Sequence, residues 1–287
     1  MDYFDLHCDT VTSVFSGVTD TAVTPKKAKV LEKYAQLFAV WMDDALSPEE
    51  AFKSACAVCD YFSDYVSSFG HTHFQALLTL ENGTCLGDDL RNIEFWKDRG
   101  VSAVTLTWNG ANLLGFGSAC PDEGGLTDFG KKAVKELQSS GILVDVSHLN
   151  EAGFYDCVKL AKKPLIASHS NCFSICPHSR NLKDEQIKEL FDRGGIMGIC
   201  YYPRFLGNGN VFELIYEHIY HGLELGGEDS LCLGSDFDGA EMSSELDSLE
   251  KVRSLHEFLA AKGIKKRLLE KIFYKNAENF FNNILHA

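Results

Sequence analysis

The chain has 287 residues, of which 45% are hydrophobic, and a formal net charge of −14 at pH 7. Its length and composition are typical of one α/β barrel domain over residues 1–287, and its acidic balance without a basic stripe argues against nucleic-acid binding. No apolar run reaches the length of a membrane span and no signal peptide is evident, so we expect a cytoplasmic protein without membrane contact.

Eight short apolar, β-rich runs follow one another along the chain. These runs are Tyr3–His7, Gln36–Met42, Gln75–Glu81, Val101–Trp108, Ile142–His148, Pro164–His169, Gly195–Tyr202 and Leu231–Asp238. Amphipathic stretches lie between most of them and predict helices, for example over Ser47–Ser68, Thr127–Ser140 and Lys183–Arg193. In the first of these helices Ser47, Pro48 and Glu50 form the pattern of an N-cap, a first-turn proline and a capping box.

This alternation predicts the fold. Continuous apolar strands separated by helices indicate parallel strands that helices cover on the outside. Eight such strands favour a closed (β/α)8 barrel, the TIM barrel. An open doubly wound sheet is the alternative, but it would require a glycine-rich phosphate-binding turn after an early strand, and the sequence has none.

Five of the predicted strands end in side chains that are unfavourable in a buried strand. Burying a His, Asp or Glu side chain without a partner is costly, so packing alone does not explain this pattern. In a barrel the carboxyl ends of all strands meet on one face, where catalytic groups collect. The side chains concerned are those of His7, Asp9, Glu81, His148, His169 and Asp236.

These residue types predict two metal sites. His7 and Asp9, two residues apart on an extended strand, would point the same way and bind one ion, and His148 and His169 on adjacent strands would bind a second. Glu81 has two oxygens and could bridge both. Ligation by nitrogen and oxygen without thiolate favours zinc, with manganese or iron as alternatives. Two cations about 3.5–4 Å apart can hold a hydroxide and polarise a carbonyl.

Two further residues are candidates for the reaction itself. Asp236 is the spare carboxylate, placed to pass a proton from the attacking water to a leaving nitrogen. Arg180 lies in the segment after the sixth strand, and its guanidinium suits bidentate binding of a carboxylate, although a surface salt bridge is an equal alternative. Asp145, inside the fifth strand, is expected to form a hydrogen bond within the barrel rather than to act in catalysis.

Seven motifs, in order along the chain, resemble the membrane (renal) dipeptidase family of the amidohydrolase superfamily. They are DLHCDT, LTLENG, LTWNGAN, LVDVSH, ASHSNC with the following SRN, GSDFDG and NAENFF. The resemblance runs almost end to end and implies a two-zinc barrel that hydrolyses dipeptides, including those with a D-residue at the C-terminal position. It further implies a soluble bacterial-type member and a possible homodimer.

The resemblance also implies individual roles. His7 and Asp9 would bind one zinc ion, His148 and His169 the other, with Glu81 as the bridge and a part of the catalytic machinery. Asp236 matches the family's acid/base aspartate. Arg180 matches the arginine that holds the C-terminal carboxylate of the substrate, and Tyr202 is expected to line the pocket.

One position departs from the mammalian members, which carry a histidine where this chain has Trp108. That histidine is thought to stabilise the oxyanion. Trp108 can donate only through its indole N–H, and Asn109 could donate in its place. Losing one such donor typically lowers the rate by about 10²–10³. The nearest alternative function is another amidohydrolase reaction on the same two metals, such as deacetylation or lactone opening.

Overall fold

The computed structural model describes residues 1–70, 73–121 and 123–285. Eight parallel strands form a closed barrel in chain order, and β8 pairs with β1 to complete it. The strands are β1 Tyr3–Cys8, β2 Tyr34–Trp41, β3 Phe74–Glu81, β4 Val101–Thr105, β5 Leu143–Asp145, β6 Ile166–Ala167, β7 Ile196–Ile199 and β8 Leu231–Leu233. The predicted (β/α)8 barrel is therefore confirmed.

The helices lie between the strands and after β8. They are α1 Thr10–Phe15, α2 Pro25–Ala28, α3 Pro48–Ser67, α4 Arg91–Asp98, α5 Asp128–Ser139, α6 Glu151–Leu160, α7 Asp184–Asp192, α8 Pro203–Leu206, α9 Val211–Glu224, α10 Val252–Ala261, α11 Lys266–Glu270 and α12 Asn276–Leu285. The predicted capping box of Ser47 and Glu50 begins α3, and the Thr127 side chain caps α5. No helix in the described part of the chain is long and apolar enough to cross a membrane.

Several strands end earlier than the sequence predicted. β5 ends at Asp145 and β8 at Leu233, so His148 and Asp236 lie in the turns that follow. Both residues have left-handed backbone conformations, with φ of 69° and 64°, and such a conformation cannot continue a strand. The turns after β5 and β8, and not the strands themselves, therefore set the orientation of the His148 and Asp236 side chains.

Asp9 also lies outside its predicted strand. β1 ends at Cys8, its register shifts between Asp5 and Cys8, and Asp9 (φ −97°, ψ 11°) directly precedes α1. The prediction that His7 and Asp9 share a face through strand alternation was wrong. A turn brings Asp9 beside His7 instead.

The barrel has one closed end. A hydrophobic cluster takes buried residues from seven strands, with Leu77 of β3 packed against it, and therefore fills the barrel interior. α12 adds Ala277, Phe280 and Phe281 to this cluster. Phe281 stacks on Phe4, near the amino end of β1, with ring centroids 5.3 Å apart. α12 thus covers the amino ends of the strands, and a cleft lies at their carboxyl ends.

Candidate active site

A cleft of about 540 Å³ lies at the carboxyl ends of the strands. Most of the predicted site residues line it. The predicted residues along its wall are Asp9, Glu81, Trp108, Asn109, His148, Tyr202 and Asp236. His7 and His169 lie beneath them, almost fully buried. The structure therefore brings all six strand-end candidates into one place.

Glu81, the last residue of β3, is the centre of the arrangement. Its Oε1 lies 2.9 Å from His148 Nε2 and 3.7 Å from His169 Nε2. Its Oε2 faces the other way and lies 3.2 Å from His7 Nε2. The Glu81 carboxylate thus faces the His148 and His169 rings with one oxygen and the His7 ring with the other.

The second set of ligand atoms surrounds His7. The Nε2 atom of His7 lies 3.4 Å from Asp9 Oδ2 and 3.9 Å from Asp236 Oδ1. Gly239 makes this close approach possible, because a Cβ atom there would overlap Asp9 Oδ2 and would lie 2.6 Å from Asp236 Oδ1. The glycine that closes the GSDFDG motif is therefore part of the site.

The chemistry of the centre fits metal ions. Two groups of three side chains each offer ligand atoms within 4.8 Å of one another: His7, Glu81 and His169, and His7, Asp9 and Asp236. Among the described residues, three buried atoms here make no hydrogen bond, namely His7 Nε2, Asp9 Oδ1 and Glu81 Oε2. Buried polar atoms are normally paired, so unpaired atoms that converge on one point are those expected of metal ligands.

The two histidines near Glu81 Oε1 are neutral. Burial, together with the Arg180 cation, lowers the pKa of His148 to about 4. Burial and the neighbouring His7 ring lower the pKa of His169 well below its ordinary value. Neutral imidazole is the form that binds metal. The two Nε2 atoms lie 2.8 Å apart and face Glu81.

The carboxylates repel one another in this buried centre. Burial and the Glu81 charge raise the pKa of Asp9 well above its ordinary value, and burial raises the pKa of Asp236 to about 6. For Glu81 burial acts in the same direction, but the His7 and His148 rings outweigh it and hold its pKa low. A cation would relieve this crowding of negative charge.

Asn109 contacts the site through His148. The Nδ1 atom of His148 lies 3.0 Å from Asn109 Oδ1, which also accepts a hydrogen bond from Ser118. The amide oxygen is thus occupied by His148, and the amide nitrogen is the Asn109 atom that remains to donate to a substrate. Trp108 packs edge-on against Trp41 with centroids 5.2 Å apart, and both rings line the cleft.

Arg180 lies beside the main cleft rather than in its wall. It is buried and lines a neighbouring cavity of about 240 Å³, which it shares with His148. Its Nη2 donates to the His169 carbonyl oxygen at 3.3 Å, and its guanidinium lies 5.2 Å from the Phe205 ring centroid. In the described part of the chain Nε has no partner.

Sequence reasoning missed Trp41 and Gly239, and it also missed Ser168, whose Oγ lies 2.8 Å from His169 Nδ1. Trp41 ends an apolar strand and cannot be told from core packing by pattern, and serine after a strand is common. For Gly239 a signal existed, since a glycine that follows two carboxylates in a turn often permits close approach of the chain.

Comparison with known proteins identifies the family. A sequence model described as "Membrane dipeptidase (Peptidase family M19)" matches residues 6–284. The chain belongs to this family. As a member of the membrane dipeptidase family it is a metal-dependent hydrolase of peptide bonds, and the predicted family resemblance is confirmed.

Two relatives of this membrane dipeptidase chain are 33% identical to it. One, an "Uncharacterized protein in pqqA 5'region" of Klebsiella pneumoniae, aligns over 206 residues, 68% of this chain and 76% of that protein. The other, Dipeptidase tcpJ of Claviceps purpurea, aligns over 200 residues, 67% of this chain and 46% of that protein. The match therefore covers less than half of the second relative.

Solved structures share the fold. A metallopeptidase named dipeptidase AC, of family M19, superposes with a TM-score of 0.91 at 23% identity over 100% of this chain and 99% of that one. A metallopeptidase from Rhodobacter sphaeroides, liganded with a phosphinate mimic of the dipeptide L-Ala-D-Ala, superposes with a TM-score of 0.89 at 22% identity over 99% of each chain.

Proposed function

We propose that the protein is a zinc-dependent dipeptidase with two zinc ions in each chain. The observation that carries this proposal is the placement of Glu81, whose two oxygens face different sets of ligand atoms. His7 and Asp9 would bind one ion, His148 and His169 the other, and Glu81 would bridge them. Nitrogen and oxygen ligands without thiolate favour zinc.

Two zinc ions, when bound here, would polarise the scissile carbonyl and activate a water molecule. The protein supplies the remaining functions. Asp236 lines the cleft, with its Oδ1 atom 3.9 Å from His7 Nε2, and would carry a proton from the attacking water to the leaving nitrogen. The Asn109 amide nitrogen and the Trp108 indole N–H are two donors among the residues of the cleft wall that would stabilise the oxyanion.

Arg180 would bind the C-terminal carboxylate of the substrate. Its guanidinium is buried, Nη2 donates to a backbone carbonyl oxygen, and Nε has no hydrogen-bond partner among the described residues, which form no ion pair with Arg180. A buried cation without a paired anion is stabilised by an incoming carboxylate. Tyr202 lines the main cleft and packs edge-on against Phe205 with ring centroids 4.9 Å apart, and the Arg180 guanidinium is another neighbour of the Phe205 ring.

We propose dipeptides with a C-terminal D-residue among the substrates. The Rhodobacter sphaeroides metallopeptidase, which shares the fold, was crystallised with a mimic of L-Ala-D-Ala. A panel of L,L- and L,D-dipeptides, assayed on protein with its zinc content measured, tests the proposal. Turnover of N-acetyl amino acids or lactones but not of dipeptides would favour the alternative reactions, and a protein that binds no zinc would contradict the two-zinc site.

The role of Arg180 has a sharper test. We expect Arg180→Ala to raise the KM for dipeptides about 10- to 100-fold, because a hydrogen bond to a charged group contributes about 1.5–3 kcal/mol. Dipeptide amides, which lack the carboxylate, are the matched control. The wild-type protein and the variant should hydrolyse these amides with similar KM values, and an equal effect of the substitution on both substrate types would exclude the carboxylate contact.

A further inference from the structure

The buried Asp145, the last residue of β5, has no part in the function described so far. Its Oδ1 accepts hydrogen bonds from the backbone N–H groups of Ser147 and Ser168, both at 3.0 Å. Its Oδ2 accepts from Thr105 Oγ1 at 2.7 Å and from Ser168 Oγ at 2.5 Å. These four contacts fill the acceptor positions of an ionised carboxylate.

Ser168 connects this carboxylate to His169. The Ser168 Oγ atom lies 2.8 Å from His169 Nδ1. Because the carboxylate can only accept, the serine O–H points to Asp145, and a serine lone pair faces the ring. His169 therefore carries its proton on Nδ1. Its Nε2 keeps a free lone pair, and this is the atom that lies 3.7 Å from Glu81 Oε1.

A second buried aspartate shows what is specific to this arrangement. Asp5 of β1 accepts from the backbone N–H and the hydroxyl of Ser235, at 2.7 and 2.6 Å. Ser235 Oγ, however, makes its next contact with the His7 carbonyl oxygen at 3.1 Å rather than with a ring nitrogen. Each of these two buried Asp–Ser pairs links neighbouring strands, and of the two it is the pair of Asp145 and Ser168 that also reaches an imidazole.

We propose that Asp145 is a positioning residue that acts through Ser168 to hold His169 in the tautomer that binds metal. This inference rests on the proposed zinc site. Partners of this kind behind a metal-binding histidine typically affect metal affinity by 10- to 100-fold. Neither Asp145 nor Ser168 touches the substrate cleft directly.

The hydrogen bonds that run from Asp145 through Ser168 to His169 form a relay. Asp145→Asn should reverse the direction of donation along this relay. The asparagine amide N–H would donate to Ser168 Oγ, the serine O–H would turn to His169 Nδ1, and the ring proton would move to Nε2. We expect one of the two zinc ions to bind about 100-fold more weakly. Ser168→Ala removes the relay without inverting it, and we expect a loss of about tenfold. Should the asparagine variant fail to fold, this second variant still tests the relay.

The double variant separates positioning from a merely structural role. If the reversed hydrogen bonds cause the loss of zinc affinity, the double variant Asp145→Asn with Ser168→Ala should bind zinc about tenfold more weakly than wild type. It should then bind zinc more tightly than Asp145→Asn alone. A structural defect would instead make the double variant worse than either single variant. Thr105→Val is the matched control, because Thr105 contacts Asp145 but neither Ser168 nor the ring, and we expect its zinc affinity to stay within about threefold of wild type.

Zinc content by metal analysis and zinc affinity by chelator competition provide the measurement. Asp145→Asn with affinity within threefold of wild type, or a double variant weaker than Asp145→Asn, would overturn the inference while the proposed function stands. Wild-type protein that holds fewer than two zinc ions would overturn the proposed function, and this inference with it.

Discussion

The two ends of the barrel are built from opposite chemistry. At the amino end α12 places Phe280 and Phe281 against Phe4, and the interior is apolar. At the carboxyl end three histidines and three carboxylates converge, and several of their atoms make no hydrogen bond among the described residues. The amino end is packed by side chains of the chain itself, whereas the carboxyl end presents ligand atoms that a bound cation would satisfy.

This difference separates stability from function. Apolar burial and aromatic stacking stabilise the fold without any ligand. Buried carboxylates that repel one another are unfavourable until a cation binds, so the carboxyl end is expected to contribute little to stability in the absence of metal. Substitutions at the two ends should therefore produce different defects.

The largest effect is expected at Glu81. Glu81→Gln removes the negative charge and one of the two acceptor oxygens of this side chain, so the two proposed zinc ions would lose their bridge. We expect kcat/KM to fall by more than about 10⁴, since hydrolytic rate enhancements of 10⁶ or more would depend on this centre. Zinc content and dipeptide turnover measure the loss, and circular dichroism checks the fold. A variant with both ions and near wild-type turnover would exclude the bridging role.

A smaller loss of activity is expected at Asp236. Asp236→Asn keeps the size of the side chain but cannot carry a proton, and general acid–base catalysis typically contributes about 10²–10⁴-fold. The variant should retain both zinc ions, because Asp236 is not in the proposed ligand set. Loss of zinc together with turnover would assign Asp236 to metal binding instead.

At the amino end of the barrel we expect a substitution to lower stability and to leave activity unchanged. Phe281→Ala removes a buried ring that stacks on Phe4, and we expect the free energy of unfolding to fall by about 3–5 kcal/mol. In protein that remains folded, kcat and zinc content should be unchanged. Urea denaturation gives the stability, with Asn282→Ala on the exposed side of α12 as a control within about 0.5 kcal/mol. A fall in kcat would show that the two ends are coupled.

The smallest effect is expected at His218, a buried side chain that holds the loops at the carboxyl ends of the strands in place. Buried His218 of α9 accepts from the Cys172 N–H at 3.1 Å and donates to the Leu206 carbonyl oxygen at 3.0 Å. Burial lowers the pKa of His218 to about 4. The unfolded chain therefore binds a proton below about pH 6.5 that the folded chain does not bind. Stability from this group is complete above pH 6.5 and falls toward pH 4, by about 3 kcal/mol at most.

His218→Gln isolates this contribution, because glutamine does not titrate. Urea denaturation of both proteins at pH 7 and pH 4.5 should show that the stability advantage of the wild type shrinks by about 2 kcal/mol at the lower pH. His221, whose Nε2 lies 2.9 Å from Asp184 Oδ1, is present in both proteins, so its contribution cancels when their free energies of unfolding are subtracted. An advantage that is independent of pH would mean that His218 titrates normally in the folded chain.

Sequence reasoning succeeded where the signal is local. The eight strands were predictable because each is a run of apolar, β-rich residues, and α3 was predictable from Ser47 and Glu50 at its start. The polar residues after the apolar runs marked the site. The prediction failed where conformation depends on turns, as at His148 and Asp236, whose left-handed backbone ends β5 and β8 early.

Residue type and order along the chain thus determined the barrel and the set of candidate ligands, since hydrophobic period and polar strand ends are properties of neighbouring residues. Tertiary structure decided which atoms meet: that the two oxygens of Glu81 face different histidines, that Arg180 lies behind the cleft, and that only one of two similar Asp–Ser pairs reaches a ring. These contacts join residues far apart in sequence, and their distances depend on the register and turns of the closed barrel.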